Sequence, residues 1–183
     1  MTIHGYCWPQ SVLPGERVSL AISSAVSSCD VEIVRIGSNE TIVDTWKNLA
    51  VVQQRVPANA ASSGCAWAET LRIEVDEAWR TGFYLVRLTD HEGAEAEAFF
   101  VVRSSEPRNT LIVLSTSTWA AYNDWGGPSF YTGGHHSSLQ RPLPKGFLEK
   151  PDPHQYRVAR MTHLSRKARR DHFSNFSIWS CAA

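Results

Sequence analysis

Between Thr118 and Tyr131 the chain gathers five aromatic side chains, Trp119, Tyr122, Trp125, Phe130 and Tyr131, around an Asn123–Asp124 pair and a Gly126–Gly127 pair. Tyr122 carries the most distinctive chemistry. A phenolate oxygen is a hard donor that suits ferric iron, and tyrosine ligation of iron has precedent. The commoner use of such a ring is packing or hydrogen bonding. Asn and Asp more often cap or turn a chain than catalyse, and paired glycines permit a backbone turn.

The remaining reactive groups form weaker constellations. Five of the seven histidines, His135, His136, His154, His163 and His172, follow residue 130, at spacings that match no zinc-protease pattern. There is no G-x-S-x-G elbow, no phosphate-binding P-loop and no dinucleotide-binding G-x-G-x-x-G. The basic run RKARRDH (166–172) can touch phosphates but reads first as a solvated helix face. Cys7, Cys29, Cys65 and Cys181 form no CxxC pair, which argues for buried thiols in a cytoplasmic protein rather than a disulfide scaffold.

Something must position the aromatic cluster. TLIVLSTST (110–118) predicts a strand whose continuous apolar run, Leu111 to Leu114, is buried on both faces of a parallel sheet. In open α/β sheets, ligands lie beyond the carboxyl ends of such strands, so the loop that follows begins where a site is expected. From Gly126 to Pro153 the chain holds five glycines and five prolines without a helical period. A loop of that length inside a compact domain is functional or disordered, and its aromatic content opposes disorder. The final NFSIWSCAA reads as an apolar segment, a helix after Ser174 or Asn175.

The first hundred residues differ. Period-two alternation predicts strands over 15–23, 31–37, 41–46, 70–75, 82–90 and 96–104, with a loop over 57–67. That density of short strands points to an immunoglobulin-like β-sandwich. Trp8, Trp46, Trp67 and Trp79 are expected in its core or at a packing surface, a sugar-binding face being the alternative. Charge marks the boundary near Pro107: residues 1–108 hold 9 Lys+Arg against 14 Asp+Glu, and residues 109–183 hold 9 against 4. The organisation read from this is a β-sandwich over 1–106, followed over 107–183 by the start of an incomplete α/β domain. No secretory signal opens the chain and no apolar run approaches the roughly 20 residues of a membrane span.

The run LSTSTWAAYNDWGGPSFYTGG, followed by QRPLPKGFLEKPDPHQYRVAR, resembles the large (beta) subunit family of N,N-dimethylformamidase, and WRTGFYLVRLTD…EAEAFFVVR resembles the sandwich that precedes its catalytic domain. The core of the match is Thr118, Trp119, Ala121, Tyr122, Asn123, Gly126 and Gly127. The resemblance implies an α/β catalytic domain like that of glutamine amidotransferases. It also implies a mononuclear iron, held by two tyrosines and a glutamate, that acts as a Lewis acid in hydrolysing the C–N bond of small N-substituted amides. Tyr122 matches the first tyrosine ligand and Tyr156 is the candidate for the second. Asn123 is a candidate for orienting a ligand or the substrate. The expected partners are a small amide and a small partner subunit or a second copy of the chain, with neither nucleic acid nor membrane.

The family's glutamate falls beyond Ala183, so the sequence reads as an N-terminal fragment that ends inside the catalytic domain and is inactive alone, without retained iron. The alternative is a non-enzymatic β-sandwich binding module with an aromatic-rich tail. On either reading the sandwich is expected to fold alone and the segment from 109 onward to be open to proteases.

Overall fold

The computed structural model describes residues 2–148 and the strand at 176–179. Two sheets face each other. One has the order β1-β3-β6, formed by β1 (Ile3–Trp8), β3 (Arg17–Ser24) and β6 (Leu71–Glu74). The other has the order β2-β8-β7-β4-β5, formed by β2 (Ser11–Val12), β8 (Glu95–Val102), β7 (Gly82–Asp90), β4 (Ser28–Ile36) and β5 (Thr41–Ala50). The first strand segment thus divides between the sheets: β1 pairs antiparallel with β3, and β2 runs parallel to β8. This is the strand order of an immunoglobulin-like sandwich, as the alternation predicted. Tyr84, near the start of β7, donates its hydroxyl to the Arg80 carbonyl at 2.6 Å, the tyrosine corner of such folds.

Alternation explains the interior. Val18, Leu20, Ile22 and Ile73 from one sheet meet Val31, Ile33, Tyr84, Val86, Leu88, Ala98 and Phe100 from the other. Trp79 stacks on Tyr84 with ring centroids 5.2 Å apart, and Trp46 packs against the same core, so both tryptophans serve packing. Cys7, Cys29 and Cys65 are buried free thiols; Cys181 lies outside the described residues.

The outer faces are apolar too, and this is where the second half of the chain docks. Phe83, Leu85, Phe99 and Val101 point away from the core and are covered by Leu114, Trp119 and Leu148. On the opposite side Tyr6 and Ala21 are covered by Ala60, Cys65 and Trp67, with Trp8 and Trp125 alongside. Burying each large side chain contributes about 1.5–3 kcal/mol, so the segment after Leu114 completes the sandwich instead of trailing from it.

Three local expectations are corrected. The strand predicted over 110–118 ends at Val113: β9 is Thr110–Val113, and Thr116–Tyr122 forms the helix α2. Leu111 and Val113 are 56% and 60% exposed, so β9 is not buried on both faces among the described residues. The predicted loop over 57–67 contains the one-turn helix α1, Ala60–Ser63. The terminal apolar segment is a strand, β10 (Phe176–Trp179), which pairs parallel with β9 in the register Phe176↔Thr110 to Trp179↔Val113. The parallel pairing expected of the 110 strand is therefore present.

Candidate functional site

The segment from Ser115 to Leu148 is held by each residue type for a separate reason. Trp119 lies edge-on to Phe99, with centroids 5.1 Å apart and planes at 88°, which seats α2 on the five-stranded sheet. Asn123 follows as the helix C-cap and is 1% exposed. Its amide nitrogen donates to the Pro142 carbonyl at 2.9 Å, and its carbonyl oxygen accepts the Trp125 N–H at 2.9 Å. Both ends of this side chain are therefore engaged by backbone.

Trp125 reaches the other sheet. Its ring stands at 89° to Trp67 with centroids 5.7 Å apart, and its indole N–H donates to Nδ1 of His4 at 3.3 Å. That bond requires an unprotonated Nδ1, and burial pulls the His4 pKa down, which favours that form. Gly127 then passes α1. Its φ of +144° lies where other residues are strained, and an added Cβ would stand 2.9 Å from Cβ of Ala61.

Arg141 ties these pieces together. It is 2% exposed, and its guanidinium donates to the carbonyls of Asn123 (2.9 Å), Ser138 (3.1 Å) and Trp125 and to the Ser137 hydroxyl (3.1 Å). The five-donor fork of arginine suits this convergence of acceptors, and lysine could not reproduce it. Burial lowers the Arg141 pKa. Burial also pushes the nearby Cys65 thiol up to about 11, against the pull of that guanidinium, so Cys65 is a protonated, unreactive thiol.

Tyr122 is used differently. It is the last residue of α2, half-buried, and stacks on Tyr131 with centroids 4.0 Å apart and planes 16° from parallel. Tyr131 and Phe130 are 63% and 48% exposed. Thus the two sheets take Trp119 and Trp125, while the phenols of Tyr122 and Tyr131 sit together at the outer surface of the loop.

Tyr156, the second predicted ligand, lies outside the described residues, as do His154, His163, His172 and the basic run 166–172. His135 and His136 are exposed. Among the described residues no three His, Cys, Asp or Glu side chains form a group able to hold a metal, and no helix is long and apolar enough to cross a membrane. Sequence reasoning missed Arg141 and His4. Neither stands in a recognisable spacing, and the one available signal for Arg141 was a lone cation within the proline-flanked SSLQRPLP.

A family model described as N,N-dimethylformamidase beta subunit-like, C-terminal, matches residues 30–175. No curated protein matches the chain. Among solved structures, the chain is similar to the RIG-5 IG1 homodimer at 13% identity and a TM-score of 0.29, over 55% of this chain and 99% of that one. It is also similar to murine CEACAM1b at 16% identity and a TM-score of 0.28, over 61% of this chain and 62% of that one.

Proposed function

Because this chain belongs to the N,N-dimethylformamidase beta subunit-like family, we propose that it serves the hydrolysis of the C–N bond of small N-substituted amides, with Tyr122 as an oxygen ligand of a mononuclear iron. The observation that carries the reading is the division of labour in the motif. Trp119 packs on Phe99, Asn123 is bonded to backbone at both ends, Trp125 packs on Trp67, and Tyr122 stacks its phenol on that of Tyr131. A half-buried phenol suits ferric iron in donor type, whereas the His, Cys and carboxylate groups among the described residues do not gather. When bound, the iron would supply Lewis-acid polarisation of the amide carbonyl. Tyr156 remains the proposed second ligand.

In this reading Asn123 is a positioning residue. Its side chain fixes the turn that follows Tyr122 through both of its polar atoms. Arg141 holds the same turn by the Asn123 and Trp125 carbonyls. The two bonding sets fix the backbone turn that follows Tyr122.

The test is Tyr122→Phe in the protein titrated with ferric iron. The ring and its stacking survive and the oxygen is lost, so the phenolate-to-iron absorption should vanish, and any formamide hydrolysis that the wild type shows should vanish with it. Unchanged absorption and ferric affinity in Tyr122→Phe would overturn the assignment. A second reading, a binding module without metal, draws support from the exposure of Phe130 and Tyr131. Glycan or protein binding that disappears in Phe130→Ala and needs no iron would favour it.

A further inference from the structure

The turn from Pro128 to Gly134 is closely bonded for a surface loop. Ser129, only 4% exposed, accepts at its carbonyl from the N–H groups of Thr132 (3.1 Å) and Gly134 (2.8 Å). The Ser129 N–H donates to the Thr132 hydroxyl at 2.9 Å, and the two hydroxyls stand 3.2 Å apart. The Phe130 N–H donates to the Ala121 carbonyl at 3.1 Å, which anchors the turn to the residue before Tyr122. Gly134 closes it so tightly that an added Cβ would stand 2.6 Å from the Pro128 carbonyl oxygen.

Fixing seven residues this way costs conformational entropy. No side chain of the turn enters any of the three apolar clusters. What the turn delivers is the Tyr131 ring onto the Tyr122 ring. A ring 63% exposed to water adds little to the hydrophobic core, but as a stacked neighbour it limits the orientations of the ring beneath it.

We infer that Tyr131 is a positioning residue for Tyr122: the Pro128–Gly134 turn holds its ring against the proposed ligand phenol and fixes the direction in which that oxygen points. The inference rests on the reading of Tyr122 given above. Tyr131 acts through the face that it stacks on Tyr122.

Three variants of the full chain test this: Tyr131→Phe, Tyr131→Ala and Thr132→Val. The last loosens the turn without altering either ring. Two readouts are used: the ring resonances of Tyr122, assigned with Tyr122→Phe, and the visible phenolate-to-iron absorption on titration with ferric iron alone. Tyr131→Ala should move the Tyr122 resonances and weaken ferric binding roughly three- to tenfold. Thr132→Val should do so in part, and Tyr131→Phe, which keeps the stacked ring, should lie closer to the wild type than Tyr131→Ala does. Unmoved resonances and unchanged iron binding in Tyr131→Ala would overturn the inference while leaving the Tyr122 ligand intact. If the wild type shows no absorption that depends on Tyr122, the ligand reading fails and the positioning role fails with it. Shifted resonances would then report a packing pair only.

Discussion

The indole of Trp119 meets the ring of Phe99 edge-on at 5.1 Å, and this contact joins the helix before the candidate site to the outer face of the β-sandwich. Trp119 is 4% exposed, and Phe99 lies among Phe83, Leu85 and Val101. Trp119→Ala should therefore destabilise the protein by about 3–5 kcal/mol, the range for large aromatic truncations in cores. Trp119→Phe should recover much of that loss. Urea unfolding of the three proteins measures it.

Arg141→Met should destabilise by about 2 kcal/mol. Removing the guanidinium relieves its own burial but leaves the Asn123, Trp125 and Ser138 carbonyls without their donor, and an orphaned buried acceptor costs about 1–3 kcal/mol. Arg141→Lys should rescue little, because an ammonium cannot reach acceptors in a planar fork. Amide hydrogen exchange at Trp125 and Phe130 should accelerate in both variants.

Acid should loosen the junction between Trp125 and the three-stranded sheet. Burial depresses the His4 pKa in the folded state, so the unfolded chain binds the proton more readily. The stability linked to His4 is then present above its ordinary value of about 6.5 and declines as pH falls through that value towards the depressed folded pKa. Protonation also removes the acceptor that Trp125 uses. Stability measured between pH 8 and 5 should fall less in His4→Phe, which keeps the aromatic contact and cannot titrate. Parallel pH curves for the two proteins would refute this.

Proteolysis should nick the linker without separating its products. Residues 105–109 are exposed, yet Leu114, Trp119 and Leu148 are buried against the sheet. Trypsin cleavage after Arg108 should leave pieces that co-elute on gel filtration. An expressed 1–106 segment, with Phe83, Leu85, Phe99 and Val101 uncovered, should bind hydrophobic dyes and aggregate. A monodisperse, dye-negative 1–106 segment would show that this face tolerates water.

The sandwich was legible because its strands alternate. The alternation places GFYLVRLTD at 82–90, where β7 lies, and β3, β4 and β8 within a few residues of their observed bounds. IHGYCW was missed, since Gly5 interrupts the apolar register of β1. The helix α2 was missed because Ser, Thr and Trp are indifferent helix formers; seven residues become helical here as Trp119 docks on Phe99. The FSIW segment became a strand for an equally non-local reason, its pairing with β9. GFYLV and AFFVV are continuously apolar, which in an antiparallel sheet means that both faces are covered. At the site, the sequence singled out Tyr122 and Asn123. It could not tell that Asn123 bonds the Pro142 carbonyl, nor that Arg141 would be buried behind it, because those relations depend on contacts 19 and 18 residues apart.

The pairing of β9 with β10 has a consequence for the order of assembly. Thr110 faces Phe176, a partner 66 residues later in the chain (176 − 110). At a synthesis rate of about 5–20 residues per second, that partner emerges several seconds after β9 does. During that interval the sandwich can close, since all its strands precede residue 103, and α2 can settle on Phe99. β9 would then wait for β10 already tethered, so the loop closed by the late strand is shorter than the sequence separation implies. The outer face of the sandwich is then the template on which the third sheet, the β9–β10 pair, is assembled.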